Sequence, residues 1–352
     1  MKKPLIPHSR PTIGQAEIDA VSRVIASGQI AQGKEVAAFE AEFARKMGVK
    51  YAAAVSSGTA ALHLALLGLE VSKGDEVIVP SFVCTALLNA VNYTGATPVI
   101  ADIEPQTLNI DPQDVAAKIK PTTKAIVVPH MFGLMADIEN LSRFGVPLIE
   151  DCAQSAGADW DGRMAGSFGK MGIYSFYATK VMTCGEGGMV VSDDEEVIDR
   201  VRRTRAYDNE NKYAVRCNYK MTDFQAAMGR RQLGNLDDFI ARRRKIAATY
   251  RKAFGNTELS LPPTDAGHIY YRYNLNVGHA VNDWIAEMRI VQIACARPVF
   301  KPLHHYLEGY ACPRAEDAYA QTVSIPIYPS LSDGSVDRIV KAVSRISKKL
   351  NT

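Results

Sequence analysis

The stretch Tyr174-Ser175-Phe176-Tyr177-Ala178-Thr179-Lys180-Val181-Met182-Thr183-Cys184-Gly185-Glu186-Gly187-Gly188-Met189-Val190-Val191 carries a single charge, Lys180, before Glu186. An apolar run precedes the lysine and a strand-like run at 189–191 follows it, which suggests an interior position. Lysine is seldom buried unless it is paired or consumed by chemistry. Taken out of water it gives up its proton more readily and becomes a nucleophile able to form a Schiff base with a carbonyl. A lysine snorkelling from a loop edge fits the same pattern, so the choice rests on the rest of the chain.

Upstream, short continuous apolar runs at 52–55, 76–79, 97–101, 125–128 and 147–151 alternate with helical patterns. Two amphipathic helices at 16–26 and 35–47 precede them, and a further helix is expected to begin within 81–88. Buried strands alternating with helices predict an α/β fold with a mostly parallel sheet covered on both faces, whose ligands gather at the carboxyl ends of the strands. Three features fall on that edge: the turn Ser57-Gly58-Thr59, Phe82 at the expected helix start, and Asp151 at the end of a strand. The Ser-Gly-Thr turn leaves N–H groups and hydroxyls free for an anion, although a plain N-cap explains it too. His63, inside the helix that follows, reads as a core histidine. Downstream, Asn218 to Gly229 forms a loop leading into a helix, and a long basic amphipathic helix at 236–254 links to an α+β remainder. That remainder shows a strand near 270–277, a helix near 284–290, a Pro-rich loop at 297–305 and a final helix at 335–350. The expected division is 1–238, a large domain with an N-terminal arm, and 239–352, a smaller C-terminal domain.

An apolar content of 47% with 22% charge is that of a soluble globular protein with ample core. Lys plus Arg number 41 against 38 for Asp plus Glu, a net charge of +3, which argues against a general nucleic-acid binder. The clusters Arg202-Arg203-Arg205 and Arg242-Arg243-Arg244 read as solvated helix faces. Six cysteines without a C-x-x-C pair, and a start (Met1-Lys2-Lys3-Pro4) without an apolar leader, indicate reduced thiols and a cytoplasmic protein. No apolar run approaches the ~18 residues of a membrane span. G-x-G-x-x-G, H-E-x-x-H and G-x-S-x-G are missing, and Gly166-Ser167-Phe168-Gly169-Lys170 lacks P-loop spacing. His304-His305 would point to opposite faces of a strand and has no carboxylate cluster in its neighbourhood, so no metal is expected.

What remains is an anion-binding turn, an aromatic, an acid, and a lysine 29 residues beyond that acid. These are the parts needed to hold pyridoxal 5′-phosphate. The aldehyde needs a lysine and the ring nitrogen needs a carboxylate to stay protonated. The ring needs a face to stack on, and the phosphate needs N–H and O–H donors.

The sequence resembles the DegT/DnrJ/EryC1/StrS family of sugar aminotransferases, which have the fold type I (aspartate aminotransferase-like) architecture. The resemblance runs through Ser56-Ser57-Gly58-Thr59-Ala60-Ala61-Leu62, Pro80-Ser81-Phe82-Val83, Glu150-Asp151-Cys152-Ala153-Gln154, Ser175-Phe176 to Lys180, Gly185-Glu186-Gly187-Gly188, Asn218-Tyr219-Lys220-Met221-Thr222-Asp223 and Lys301-Pro302-Leu303-His304. It implies pyridoxal 5′-phosphate held covalently on Lys180, which also shuttles the proton, with the pyridoxamine form as its aminated state. It further implies Asp151 on the ring nitrogen, Phe82 stacked on the ring and Gln154 near the phenolic oxygen. Gly58, Thr59 and Ser175 would hold the phosphate, with Ser57 a weaker candidate, and Asn218 would reach the phosphate of a neighbouring subunit in a homodimer. The implied reaction moves an amino group from an amino acid, glutamate above all, to a nucleotide-linked keto sugar. A dehydratase branch of the family has histidine in place of the lysine, and Lys180 argues against it. A cofactor-bound sensor without turnover is the reading from another class. Two departures from the family pattern, His130-Met131-Phe132-Gly133-Leu134 and a compressed stretch between His279 and Ile293, bear on sugar and nucleotide specificity.

Overall fold

The computed structural model of the chain describes residues 4–208, 211–278 and 281–350, so His279 lies outside the described residues. Two helices come first, α1 (Gln15–Ser27) and α2 (Lys34–Met47). Strands and helices then alternate through β1 (Tyr51–Val55), α3 (Gly58–Gly68), β2 (Glu76–Pro80), α4 (Ala86–Thr94), β3 (Thr97–Ala101), α5 (Pro112–Lys118), β4 (Thr123–Pro129), α6 (Ile138–Ser142) and β5 (Leu148–Asp151). A hairpin of β6 (Asp159–Trp160) and β7 (Arg163–Met164) leads to β8 (Met171–Ser175) and β9 (Gly188–Ser192). After α7 (Glu195–Thr204), α8 (Asp223–Gly234) and α9 (Leu236–Phe254) come β10 (Tyr273–Asn276), α10 (Val281–Ile290), α11 (Pro313–Gln321), β11 (Thr322–Ile325) and α12 (Asp333–Leu350).

Seven strands form one sheet in the order β1-β9-β8-β5-β4-β2-β3. β9 runs antiparallel to both neighbours, and the pairs β8-β5, β5-β4, β4-β2 and β2-β3 are parallel. Runs such as Ala125-Ile126-Val127-Val128 are buried throughout because helices cover both faces of a parallel sheet. One core lies under α3 and α4, around Leu64, Val79 and Ile100, and a second around Phe39, Phe43 and Phe176. β10 and β11 pair antiparallel beneath α10, α12 and the later turns of α9, around Trp284, Tyr250 and Ile325. The first turn of α9 packs into the large sheet's core through Leu236, while Ile246 and Tyr250 pack into the smaller one. Val299, Leu303, Cys312 and Ala315 return to the large core, and Arg314 is paired with Asp102 and Asp111.

Two of the expected solvated arginines are buried instead. Arg205 is paired with Glu40 and donates to the Ala54 carbonyl, and Arg243 donates to the carbonyls of Tyr270, Tyr271 and Ile327. A guanidinium has five N–H donors and can satisfy unpaired carbonyls where chain segments meet.

Strand alternation sends the side chains of Glu150 and Asp151 to opposite faces. Glu150 is fully buried and accepts from His130 Nε2 at 2.8 Å and from the backbone N–H groups of Gly166, Phe168 and Gly169. Burial pushes its carboxyl up, but the His130 hydrogen bond and the N–H donors outweigh it, leaving a net lowering. That part of the stability is present above the ordinary carboxylate range and is lost as pH falls through the depressed folded value. Glu150→Ala leaves His130 and three amides without an acceptor, and a cost of about 3–5 kcal/mol is expected in denaturant unfolding. A shift under about 1 kcal/mol would show that the network carries little of the fold.

Candidate active site

The parallel register sets the site. Asp151 stands level with Pro129 on β4 and with Ile173 on β8, so the ends of three strands meet. The chain leaving β8 is pinned where Phe176 N donates to the Gly187 carbonyl and Cys184 N to the Phe176 carbonyl. Phe176 itself is buried against Phe39 and Phe43. Lys180 sits in the loop so closed, its N–H on the Tyr177 carbonyl at 2.9 Å. It is half-buried, less enclosed than its flanking sequence suggests, with Val181 and Met182 buried behind it. Its ammonium lies 5.5 Å from the ring centroid of Tyr271.

Asp151 is buried and accepts from Ala153 N at 3.0 Å. Burial pushes its carboxyl up, against the Ala153 N–H and the positive charge of Lys180. A buried carboxyl raised in this way is suited to a cationic partner such as a protonated ring nitrogen.

The anion end is built by close approach. A Cβ on Gly58 would stand 2.7 Å from Ser175 Cβ, and one on Gly188 would stand 2.4 Å from the Ser57 carbonyl oxygen. The start of α3, the end of β8 and the start of β9 therefore interlock, bringing Ser57, Gly58, Thr59 and Ser175 together. Ser57 Oγ accepts from Ala60 N at 3.1 Å, so this hydroxyl caps the helix. The first-turn N–H groups of Gly58 and Thr59 remain as donors to an anion. Gln154 Oε1 accepts from Phe132 N at 3.0 Å, which leaves its amide nitrogen as a donor. The residues present thus fit a pyridoxal phosphate: a lysine, a buried acid, a carboxamide donor, and a cradle with no room for a Cβ.

Phe82 departs from expectation. Helix α4 begins only at Ala86, and Phe82 lies in the preceding loop with no exposed surface, edge-on to Phe132 at 6.4 Å. Its ring is used by the core, which leaves no open face to stack on. Cys84, two residues on, is the exposed residue of this turn, and the charges of Lys180 and Asp151 act on its thiol. With a cofactor seated there, Cys84 is expected to resist N-ethylmaleimide that labels it in the cofactor-free protein, as read by peptide mass mapping. Equal labelling in both forms would place the ring elsewhere.

Tyr271 also escaped sequence reading, since it arrives from beyond α9. Burial pushes its phenol up, but Lys180, Arg272 and a Thr179 hydrogen bond pull it down to about 8. Asn218 is exposed, on a strand-like segment beside Ser56, whose N–H donates to the Tyr219 carbonyl.

The family model of the DegT/DnrJ/EryC1/StrS aminotransferases matches residues 11–344. The chain is 36% identical to the spore coat polysaccharide biosynthesis protein SpsC of Bacillus subtilis, over 97% of each chain. It is 35% identical to GDP-perosamine synthase of Escherichia coli O157:H7, over 96% of this chain and 98% of that protein. Among solved structures, the aminotransferase TlmJ of Streptoalloteichus hindustanus superposes over 100% of both chains with a TM-score of 0.92 and 33% identity. Spr1654 of Streptococcus pneumoniae, solved in PLP and PMP forms, gives 0.92 at 26% identity, with 98–100% of each chain covered. With a family match across nearly its whole length, the chain belongs to the DegT/DnrJ/EryC1/StrS aminotransferase family.

Proposed function

We propose that the chain is a pyridoxal-phosphate-dependent aminotransferase that moves an amino group from L-glutamate to C3 or C4 of a nucleotide-linked keto 6-deoxy sugar. The product would serve a cell-surface polysaccharide, a glycan or a glycosylated metabolite. The observation that supports this reading is that the charge of Lys180 reaches the buried Asp151 carboxyl, beside the close-packed turn of Gly58 and Ser175. When bound, the cofactor supplies an electron sink that lets a C–H bond next to nitrogen break. Lys180 would carry it covalently, and its freed Nζ would move the proton at the reacting carbon. Asp151 would hold the ring nitrogen in its charged form. Gly58 and Thr59 N–H groups with the Ser175 hydroxyl would hold the phosphate, Ser57 acting through the cap. Gln154 would donate to the phenolic oxygen, and Cys84 would face the ring with Phe82 packed beneath the loop. Asn218 would complete the phosphate site of a second copy, making a homodimer with its sites at the interface. The two-domain division near residue 238 belongs to the same proposal, with α9 as the connecting helix. No helix among the described residues is long and apolar enough to cross a membrane.

L-Glutamate added to the loaded protein should convert the cofactor to its amino form with an equivalent of 2-oxoglutarate. That form should then aminate a member of a panel of nucleotide-linked keto sugars. A bound cofactor that glutamate never changes would favour the sensor reading.

A further inference from the structure

Both sequence-based objections to His304-His305 as metal ligands are removed by the fold. Leu303–Tyr306 is a turn of 3₁₀ helix, not a strand, so the two imidazoles fall on one side with centroids 4.5 Å apart. The carboxylate comes from the first turn of α11: Glu316 Oε2 lies 2.5 Å from His305 Nε2 and 3.3 Å from His304 Nε2. The sequence hides this because the acid is supplied by a later helix that packs back onto the same core.

We propose that His304, His305 and Glu316 form a binding site for one divalent transition cation, Zn²⁺ foremost, apart from the residues assigned to the cofactor. Two imidazoles and one carboxylate, with a position left for water, are the donor set of open zinc sites. Metal–ligand bonds of about 2.0–2.1 Å put tetrahedral neighbours about 3.3 Å apart. The His304–Glu316 spacing of 3.3 Å already has that value, and the 2.5 Å to His305 must open. Glu316 can supply that movement, because its side chain is 51% exposed. The His304 ring is held from behind, its Nδ1 2.5 Å from Oγ of the fully buried Ser81. That is how an outer partner fixes a ligating imidazole. The side chains of His304 and His305 are 10% and 26% exposed, so a cation reaches them from solvent.

The other cluster of this kind among the described residues, His130, Glu150 and Cys152, makes a useful contrast. There His130 Nδ1 already accepts from Ala136 N and Glu150 already has four donors, so no lone pair is directed at a common point. At the 304–316 site the nitrogens and the carboxylate face one another. A bound cation would tie the 3₁₀ turn to α11. Through Ser81, which also accepts the Leu303 N–H at 2.7 Å, it would steady the loop bearing Cys84.

The test uses chelator-treated, cofactor-loaded protein titrated with ZnCl₂ by calorimetry and with CoCl₂ by visible absorption. One Zn²⁺ per chain is expected, with cobalt bands lacking thiolate charge-transfer intensity. His305→Ala and Glu316→Gln should each weaken binding by about tenfold or more while circular dichroism and cofactor content stay unchanged. Absence of saturable binding overturns the proposal. So do variants that bind as the parent does, which would leave the cluster a hydrogen-bonded His–Glu group only, and so does a thiolate–cobalt band, which would move the metal to a cysteine.

Discussion

Lys180→Ala is expected to lower turnover by about 10⁴-fold or more, since one side chain is asked to serve both as covalent anchor and as proton carrier. The protein should still fold. Lys180 is half-buried in a loop whose closure rests on Phe176, Cys184 and Gly187, and the buried neighbours Val181 and Met182 are untouched. Some cofactor should remain, held by the α3 N-terminus and Asp151, but without the visible band of the lysine-linked form. Borohydride followed by peptide mapping should fix the cofactor to residue 180 in the parent and to no peptide in the variant. Lys220, another lysine of the family motifs, is paired with Asp208 at 2.8 Å and is not expected to substitute. Turnover in Lys180→Ala at the parent rate would sink the assignment.

The parts of this site that were legible in the sequence are those fixed by periodicity. A strand that ends at Asp151, a Ser-Gly-Thr turn opening a buried helix, and a lone lysine between two apolar runs follow from strand and helix spacing. The structure sets their supports along the same sheet edge. Side-chain direction within a loop has no such period. Phe82 and Cys84 sit two residues apart in an irregular turn, and only packing against Phe132 decides that the ring goes inward and the thiol outward. Groups delivered from distant chain were also out of reach. Tyr271 comes to Lys180 from beyond the connecting helix, and Glu316 comes to His304 and His305 from α11. The arginine clusters failed for a related reason: helical spacing suggests a wet face, but unpaired carbonyls at Ala54, Tyr270 and Ile327 draw two of those side chains inside.

Asp151→Asn separates the charge of that residue from its shape. Asparagine keeps an oxygen that can accept from Ala153 N, so the end of β5 and its pairing with β8 should persist. The negative charge is lost, and with it the means of keeping a ring nitrogen protonated. A fall in kcat of about 10²–10³-fold is expected, the scale seen when one preorganised electrostatic partner is removed. Stability should move the other way in the cofactor-free protein. Burial raises the folded-state value of Asp151 above its unfolded one. Its contribution is therefore fully present below the unfolded value and is lost as pH rises through the folded value. At pH values above that folded value the cofactor-free parent carries a carboxylate that burial disfavours, whereas asparagine carries none, so there the variant should melt no lower than the parent. Adding cofactor reverses the comparison, because only the parent gains a charged pair, and the rise in Tm on loading should be smaller in the variant. Equal kcat together with equal loading shifts in the two proteins would mean that the ring nitrogen does not meet residue 151.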